Sequence, residues 1–465
     1  MKKLFCIVIV AMVSPLLGGC FDNGSPADPP TLTPVAGDNR VMLTWTASPG
    51  VEYWLFTATD PSLTAFNWTA LPNAHAYISA ATPFYACGLI NGTTTYFAAN
   101  GRINGGPGGP SSSTVSATSP PYNASNIWTP ASAPLATSST PPTNPDLLGV
   151  GYTSLTTCGN NASISSTGMF AAVGAGGAIF TSADDGKSWV NQPAPAGFAT
   201  DLYAVTGYAA NQNYPGNPAL RWIAVGNGGA SVYSLDGISW AVGRPYNASN
   251  PALRSITHVA GTFFAVGDMG TILTSTDGST WTIHNSPSVT SSNLNGVTYG
   301  GIYVAVGDGG TILISGDGNT WTVKTPTTAV TSNLRQVTSF VSVYGSTIYV
   351  AVGDAGTIVT SIDNGTTWIK QAAPTASDLV GITVESRGVE TTTATTTAPA
   401  ADPSLGFIST AQFVAIDTNG NAYTSVNGYT WSAPIPTGAT GKNALVSSGF
   451  GYVTVGNSGV YATAF

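Results

Sequence analysis

Short alternating runs of apolar and polar residues begin near Pro30. Val41, Leu43 and Trp45 alternate with Met42 and Thr44, Glu52 to Thr57 forms a second, aromatic-rich run, and LINGTTTYFAANG, from Leu89 to Gly101, a third. Period two is the strand period, so this stretch predicts a small all-β unit. Further along, the pattern becomes a repeat. Phe263 to Trp281 reads FFAVGDMGTILTSTDGSTW, and about forty residues later Tyr303 to Trp321 reads YVAVGDGGTILISGDGNTW. Each copy consists of β-type segments and Gly/Asp turns, and a period in the forties of this kind predicts a β-propeller with one blade per copy.

Two markers count the copies independently. The turn within AVG(D/N)xG occurs at Gly174, Gly226, Gly267, Gly307, Gly353 and Gly456, with Asp417 in place of the glycine in VAIDTNG, which makes seven. A tryptophan closing SxDGxTW or a longer form of it occurs at Trp189, Trp240, Trp281, Trp321, Trp368 and Trp431, which makes six. The last copy, TVGNSGVYATAF, stops at Phe465 before an outer strand can follow. An open sheet edge invites aggregation, so the isolated segment around Ile127 and Trp128 is expected to cover it. The predicted fold is all-β: a small sandwich followed by a seven-bladed propeller over residues 122–465, closed by an N-terminal strand.

Bulk composition narrows the chemistry. The 465 residues are too many for one ordinary core, and 43% are apolar, enough for two domains. Charged residues are only 7%, against roughly 25% in an average globular chain. The net charge of −8 comes from 21 acidic and 13 basic residues without a basic stripe, so nucleic acid is not an expected partner. Three histidines and three glutamates are few for acid-base chemistry.

The opening MKKLFCIVIVAMVSPLLGGC has a charged start, an apolar stretch too short to span a bilayer and a small-residue end, the grammar of an export signal. Leu17-Gly18-Gly19-Cys20 resembles the lipobox of bacterial lipoproteins. That resemblance implies a signal peptide over 1–19, lipid on Cys20 and a membrane anchored by that lipid. With Phe21 after the cysteine, it implies the outer membrane of the bacterial envelope, with periplasmic and surface orientations both open. Residues 20–29 read as a Pro-rich tether. Cys87 and Cys158 then remain, as a disulfide or as two buried thiols; Cys158 falls where Val297 sits in another copy of the repeat.

Trp45, Leu89, Gly92, Thr94 and Tyr96 give residues 30–119 a resemblance to a fibronectin type III module, in which Tyr96 would form the tyrosine corner. Residues 106–121 and 130–145 are connectors rich in Pro, Ser, Thr and Gly.

The segments ADDGKSW, LDGISW, TDGSTW, GDGNTW, IDNGTTW and VNGYTW resemble Asp boxes, the BNR repeats of sialidases. Asp185, Asp236, Asp277, Asp317 and Asp363 would each bond the amides of a tight turn while the tryptophan packs between blades, so these are scaffold residues. Each box holds too few carboxylates for a calcium cage, and no metal or cofactor is expected. By the same resemblance the boxes lie on one face and the Gly-Asp turns on the other. Asn227, Asp268, Asp308, Asp354, Asp417 and Asn457 would then form a polar ring, a candidate binding face. Two long connections, 206–221 and 385–412, belong to the Asp-box face.

A sialidase would need an arginine triad, an Asp acid/base and a Tyr nucleophile supported by Glu. The propeller offers Arg221, Arg244, Arg254, Arg335 and Arg387 without the family's arginine motif, and its glutamates, Glu385 and Glu390, fall in the long connection. His75, His258 and His284 lack metal-ligand spacing. No catalytic residue is assigned. The repeats are also similar to propellers of the photosystem II assembly and stability factor type, which are lipidated and non-enzymatic and grip protein partners. The implied function is a lipid-anchored, non-catalytic envelope protein with a protein partner; the alternative is a carbohydrate-binding or sialidase-like surface protein that meets glycan.

Overall fold

The structure, a computed structural model, describes residues 25–37, 40–80, 82, 84–87, 89, 93–118, 128–131, 145–153, 169–182, 186, 188–209, 220–244, 247, 249–284, 289–341, 347–386, 411–438, 440–448, 451–459 and 461–464. Regular structure among these is entirely β, apart from single 3-10 turns.

The N-terminal unit consists of two antiparallel sheets. One joins Ser25–Ala27, Thr94–Ile103, Val51–Ala58 and His75–Ala80, with Val115–Thr118 on the far edge of Thr94–Ile103; the other joins Thr33–Gly37, Arg40–Thr44 and Phe84–Cys87. The period-two pattern turns Val41 and Leu43 inward, where they pack with Leu55, Phe97 and Trp45 in one core. Trp45 meets Tyr53 edge to face, with ring centroids 5.9 Å apart. The tether differs from expectation: Ser25–Ala27 is a strand, with Ser25 opposite Ile103. Its small side chains allow the edge of the longer strand to recruit it.

From Leu147 onward the chain builds seven four-stranded antiparallel sheets. The first runs through Leu147–Thr153, Met169–Gly174, Ile179–Ser182 and Val190–Gln192. The first, inner strands of the next six are Leu202–Ala209, Leu253–Val259, Leu294–Tyr299, Leu334–Val341, Leu379–Ser386 and Lys442–Ser447. Each inner strand packs on the next, and the seventh packs on the first. Sheets one to six take their strands in sequence order. Sheet seven has three strands of its own, and Thr129–Ala131 supplies the fourth, pairing Thr129 with Thr463 and Ala131 with Tyr461.

Trp128 directly precedes that strand, just as Trp189 precedes Val190–Gln192. The Asp-box tryptophans pack on the preceding sheet: Trp321 on Phe264 and Val266, Trp368 on Val304 and Val306. Trp128 does the same, burying its ring against Val414, Ile416 and Ala422 of sheet six. Between sheets the leucine that opens an inner strand is wholly buried, as with Leu294 in one core with Val266 and Ile272 of the preceding sheet; each such leucine is worth about 1.5–3 kcal/mol in burial.

The boxes are self-contained turns. Asp317 accepts hydrogen bonds from the Asn319 amide at 2.8 Å, the Thr320 amide at 2.7 Å and the Ser315 hydroxyl at 2.9 Å. These hold its carboxyl down at about 2. Trp321 Nε1 donates to the Gly318 carbonyl at 3.1 Å. Gly318 sits at φ 77°, which favours glycine. Asp236, Asp277 and Asp363 repeat this arrangement, and Asn427 substitutes an amide oxygen. Asp185 lies outside the described residues, although Trp189 Nε1 still donates to the Gly186 carbonyl at 3.1 Å.

The long connections are shorter than the sequence implies. The second inner strand continues to Ala209 and pairs Tyr208 with Arg221. In sheet six Glu385 pairs with Gln412, and both are buried. Glu385 is thus a strand residue, accepting from the Ser447 hydroxyl at 3.4 Å, and not part of a surface loop. Cys20, Cys158, Arg387, Glu390 and the segments 210–219 and 387–410 lie outside the described residues.

Candidate functional site

The site is built from one irregularity present in each of the seven four-stranded sheets. The inner strand opens in register with the turn, as Leu253 opposite Gly267, and then slips by one residue. That slip leaves a β-bulge at Leu148, Tyr203, Arg254, Asn295, Arg335, Val380 and Asn443. A bulge adds local twist and re-aims the side chain away from the ladder. All seven line a single cavity of about 650 Å³, together with Asp308 and Asn333.

The turn opposite each bulge is shaped by close approach. A Cβ added to Gly267 would lie 1.9 Å from the Ala252 carbonyl oxygen, so a side chain cannot be added without moving the backbone. A 3-10 turn follows, with its middle residue at positive φ even where that residue is Met269, Ala355 or Ser458. Such a conformation costs a non-glycine residue of order 1 kcal/mol. A side chain just ahead of the next sheet's inner strand offsets it by capping the exposed amide. Gly176 donates to Asp201 at 2.8 Å, Met269 to Asn293 and Gly309 to Asn333 at 3.0 Å, and Ala355 to Asp378 at 2.9 Å. Ser458 of the last sheet donates to Asp146 before the first, at 2.7 Å.

Five of the six expected ring residues occupy these 3-10 turns: Asn227, Asp268, Asp308, Asp354 and Asn457. Asp268 is ion-paired with Arg254, whose Nε donates to it. Asp354 receives Arg335 Nε and, at 3.0 Å, Asn333 Nδ2; Arg335 Nη2 also reaches Asp378 at 3.1 Å. Asp308 accepts from Asn295 at 2.8 Å and from Asn293 at 2.9 Å. Asn457 accepts from Asn443 at 2.7 Å. Burial, with Asp201 and Asp268 nearby, pushes the Tyr203 phenol up against the opposing pull of Arg254.

Asp417 does not belong to this ring. It occupies the glycine position, opposite Leu379, and is fully buried. Its carboxylate accepts from the Asn421 amide at 2.8 Å and the Tyr423 hydroxyl at 2.9 Å. The Cβ that the other turns exclude forces a different turn here, and the carboxylate supplies the turn acceptor. Thr418 then stands at the position of Asp268.

The bulge residues and the Asp or Asn leading five of the seven inner strands were not among the expected site residues. Their signal is a dipeptide, Asp146-Leu147, Asp201-Leu202, Asn293-Leu294, Asn333-Leu334 and Asp378-Leu379, followed by the bulged position. The histidines serve elsewhere: His258 stacks on Tyr208 with centroids 4.1 Å apart, and His284 Nε2 lies 2.7 Å from Thr274 Oγ1. No group of His, Cys, Asp and Glu that could hold a metal ion occurs among the described residues.

Successive four-stranded sheets with this turn chemistry define a protein of the β-propeller class. Residues 222–334 match the DUF6242 beta propeller domain family, and no curated protein sequence matches the chain. The solved structure titled "YCF48 bound to D1 peptide" is 16% identical, covering 73% of this chain and 97% of that one at a TM-score of 0.49. YCF48 from Cyanidioschyzon merolae is 14% identical, covering 73% and 98% at a TM-score of 0.46. Neither likeness is close enough to carry an argument about function.

Proposed function

We propose that this chain is a lipid-anchored, non-catalytic binding or assembly protein of the bacterial cell envelope, which holds a protein partner at the bulge-lined mouth. In this reading the seven sheets are the blades of a propeller closed by Thr129–Ala131, the sandwich is a fibronectin type III-like spacer, and the Asp boxes are fastenings. The observation that supports it most is the bulge repeated at the same position in all seven sheets around one cavity. A bulge costs a ladder bond, so seven of them aimed at one opening suit recognition. The charged groups there, Arg254, Asp308 and Arg335, are already held in hydrogen bonds and ion pairs, an arrangement for gripping a partner and not for moving a proton.

A photoreactive amino acid replacing Tyr203, in the full chain expressed in its host, should crosslink one envelope protein; the same group replacing Ile238 on an Asp-box hairpin should not. Equal capture from both positions, or none from Tyr203, contradicts the reading. Selective binding on a glycan array without any protein capture would favour a carbohydrate ligand. Anchoring is tested separately: Cys20→Ser should move the chain from the membrane to the soluble fraction, and unchanged fractionation would remove the lipoprotein claim.

A further inference from the structure

We infer that the mouth cavity receives a cationic side chain of the partner, an ammonium or guanidinium, on Asp308. This rests on the mouth being the partner-binding surface.

Asp308 is the carboxylate among the residues lining the cavity. Its two oxygens are fixed by neutral amides, one by Asn295 and the other by Asn293. A carboxylate offers about four acceptor positions, so each oxygen keeps capacity for another donor. No cation of the described residues pairs with it. The flanking arginines are committed elsewhere, Arg254 to Asp268 and Arg335 to both Asp354 and Asp378. Turning either one to Asp308 would strand the carboxylate it left.

The surroundings favour the same sign. Near the opening, Asp146, Asp201, Asp268, Asp308, Asp354 and Asp378 stand against Arg254, Arg335 and the buried Lys442 beside the bulge at Asn443, six negative charges to three positive ones. The other cations towards this face, Arg244, Lys324 and Lys370, end short outer strands and so lie at the periphery. An incoming anion would meet three uncompensated negative charges, whereas a cation would neutralise one. Among the bulged residues, Leu148 and Val380 provide apolar surface, which suits the methylene stem of lysine or arginine.

The probe is octalysine, with octaglutamate as its counterpart, titrated into the full chain at low and moderate salt. Octalysine should bind, weaken as salt rises, and lose about tenfold in affinity with Asp308→Asn, roughly one charge-assisted contact. Asp236→Asn, on the Asp-box face, should leave binding unchanged. Val380→Lys places an ammonium in the mouth and should block the probe without touching Asp308, so the claim survives should Asp308→Asn fold poorly. Preference for octaglutamate, or octalysine binding indifferent to both mouth variants, overturns the inference. If the Tyr203 crosslink succeeds while octalysine ignores the mouth, the partner surface stands and only the cationic ligand falls. If Tyr203 captures nothing, the surface itself falls.

Discussion

Lys442 shows how one residue can depart from a repeat and be paid for elsewhere. It stands where the other six inner strands begin with leucine, is almost wholly buried, and its Nζ has no hydrogen-bond partner among the described residues. Burial lowers its amine from 10.5 to about 8. Between those two values the unfolded chain holds a proton that the folded chain has lost, so stability should rise with pH from about 8 to 10.5. Below pH 8 the folded state carries the whole penalty, about 3 kcal/mol. Lys442→Met should therefore raise the urea midpoint at pH 7 by roughly that energy and abolish the rise above pH 8; equal midpoints for the two chains would show the amine to be solvated. Asp417, at the adjoining junction, departs from the repeat in the complementary way. The sequence makes it look like one more member of an acidic ring, because residue identity was read there without strand register. Aligning VAIDTNG on the repeat already sets Asp417 in the glycine's place, and the pairing with Leu379 puts it under the turn.

At the scale of elements, the repeat was legible because strands, turns and tryptophans recur at fixed spacing. The open last copy already called for a covering strand, and Thr129–Ala131 occupies that edge. What the sequence did not disclose is that Trp128 acts as the seventh tryptophan, since it lacks an Asp box and precedes the first sheet by many residues. Trp128→Ala should cost about 3–5 kcal/mol, as should Trp368→Ala, because each removes a buried indole between sheets. Trp128→Ala should in addition expose the edge of Tyr461–Ala464 and promote association, seen as higher-mass species in light scattering. A stable monomer would show that the strand is dispensable. The bulges were illegible for a different reason: a one-residue slip in pairing leaves no compositional trace. Arg254 and Arg335 consequently look scattered in sequence, although their two inner strands flank a common neighbour.

Across the whole molecule, the two faces of the propeller divide the work. The Asp-box face spends its carboxylates on its own turns: burial pushes Asp277 up, but the Thr280 and Ser279 amides and the Ser275 hydroxyl outweigh it and hold it at about 2. The turn face keeps its polar groups around a cavity and fastens neighbouring sheets with capped amides, including the link from Ser458 to Asp146. The recognition proposed above therefore belongs to the turn face. The most direct test is the affinity of the captured partner for the full chain against a variant with Leu148, Tyr203 and Val380 all changed to serine. The account predicts a loss of at least about tenfold, since apolar contact at the centre of an interface carries most of its energy. Unchanged affinity, with the variant folded, would contradict it.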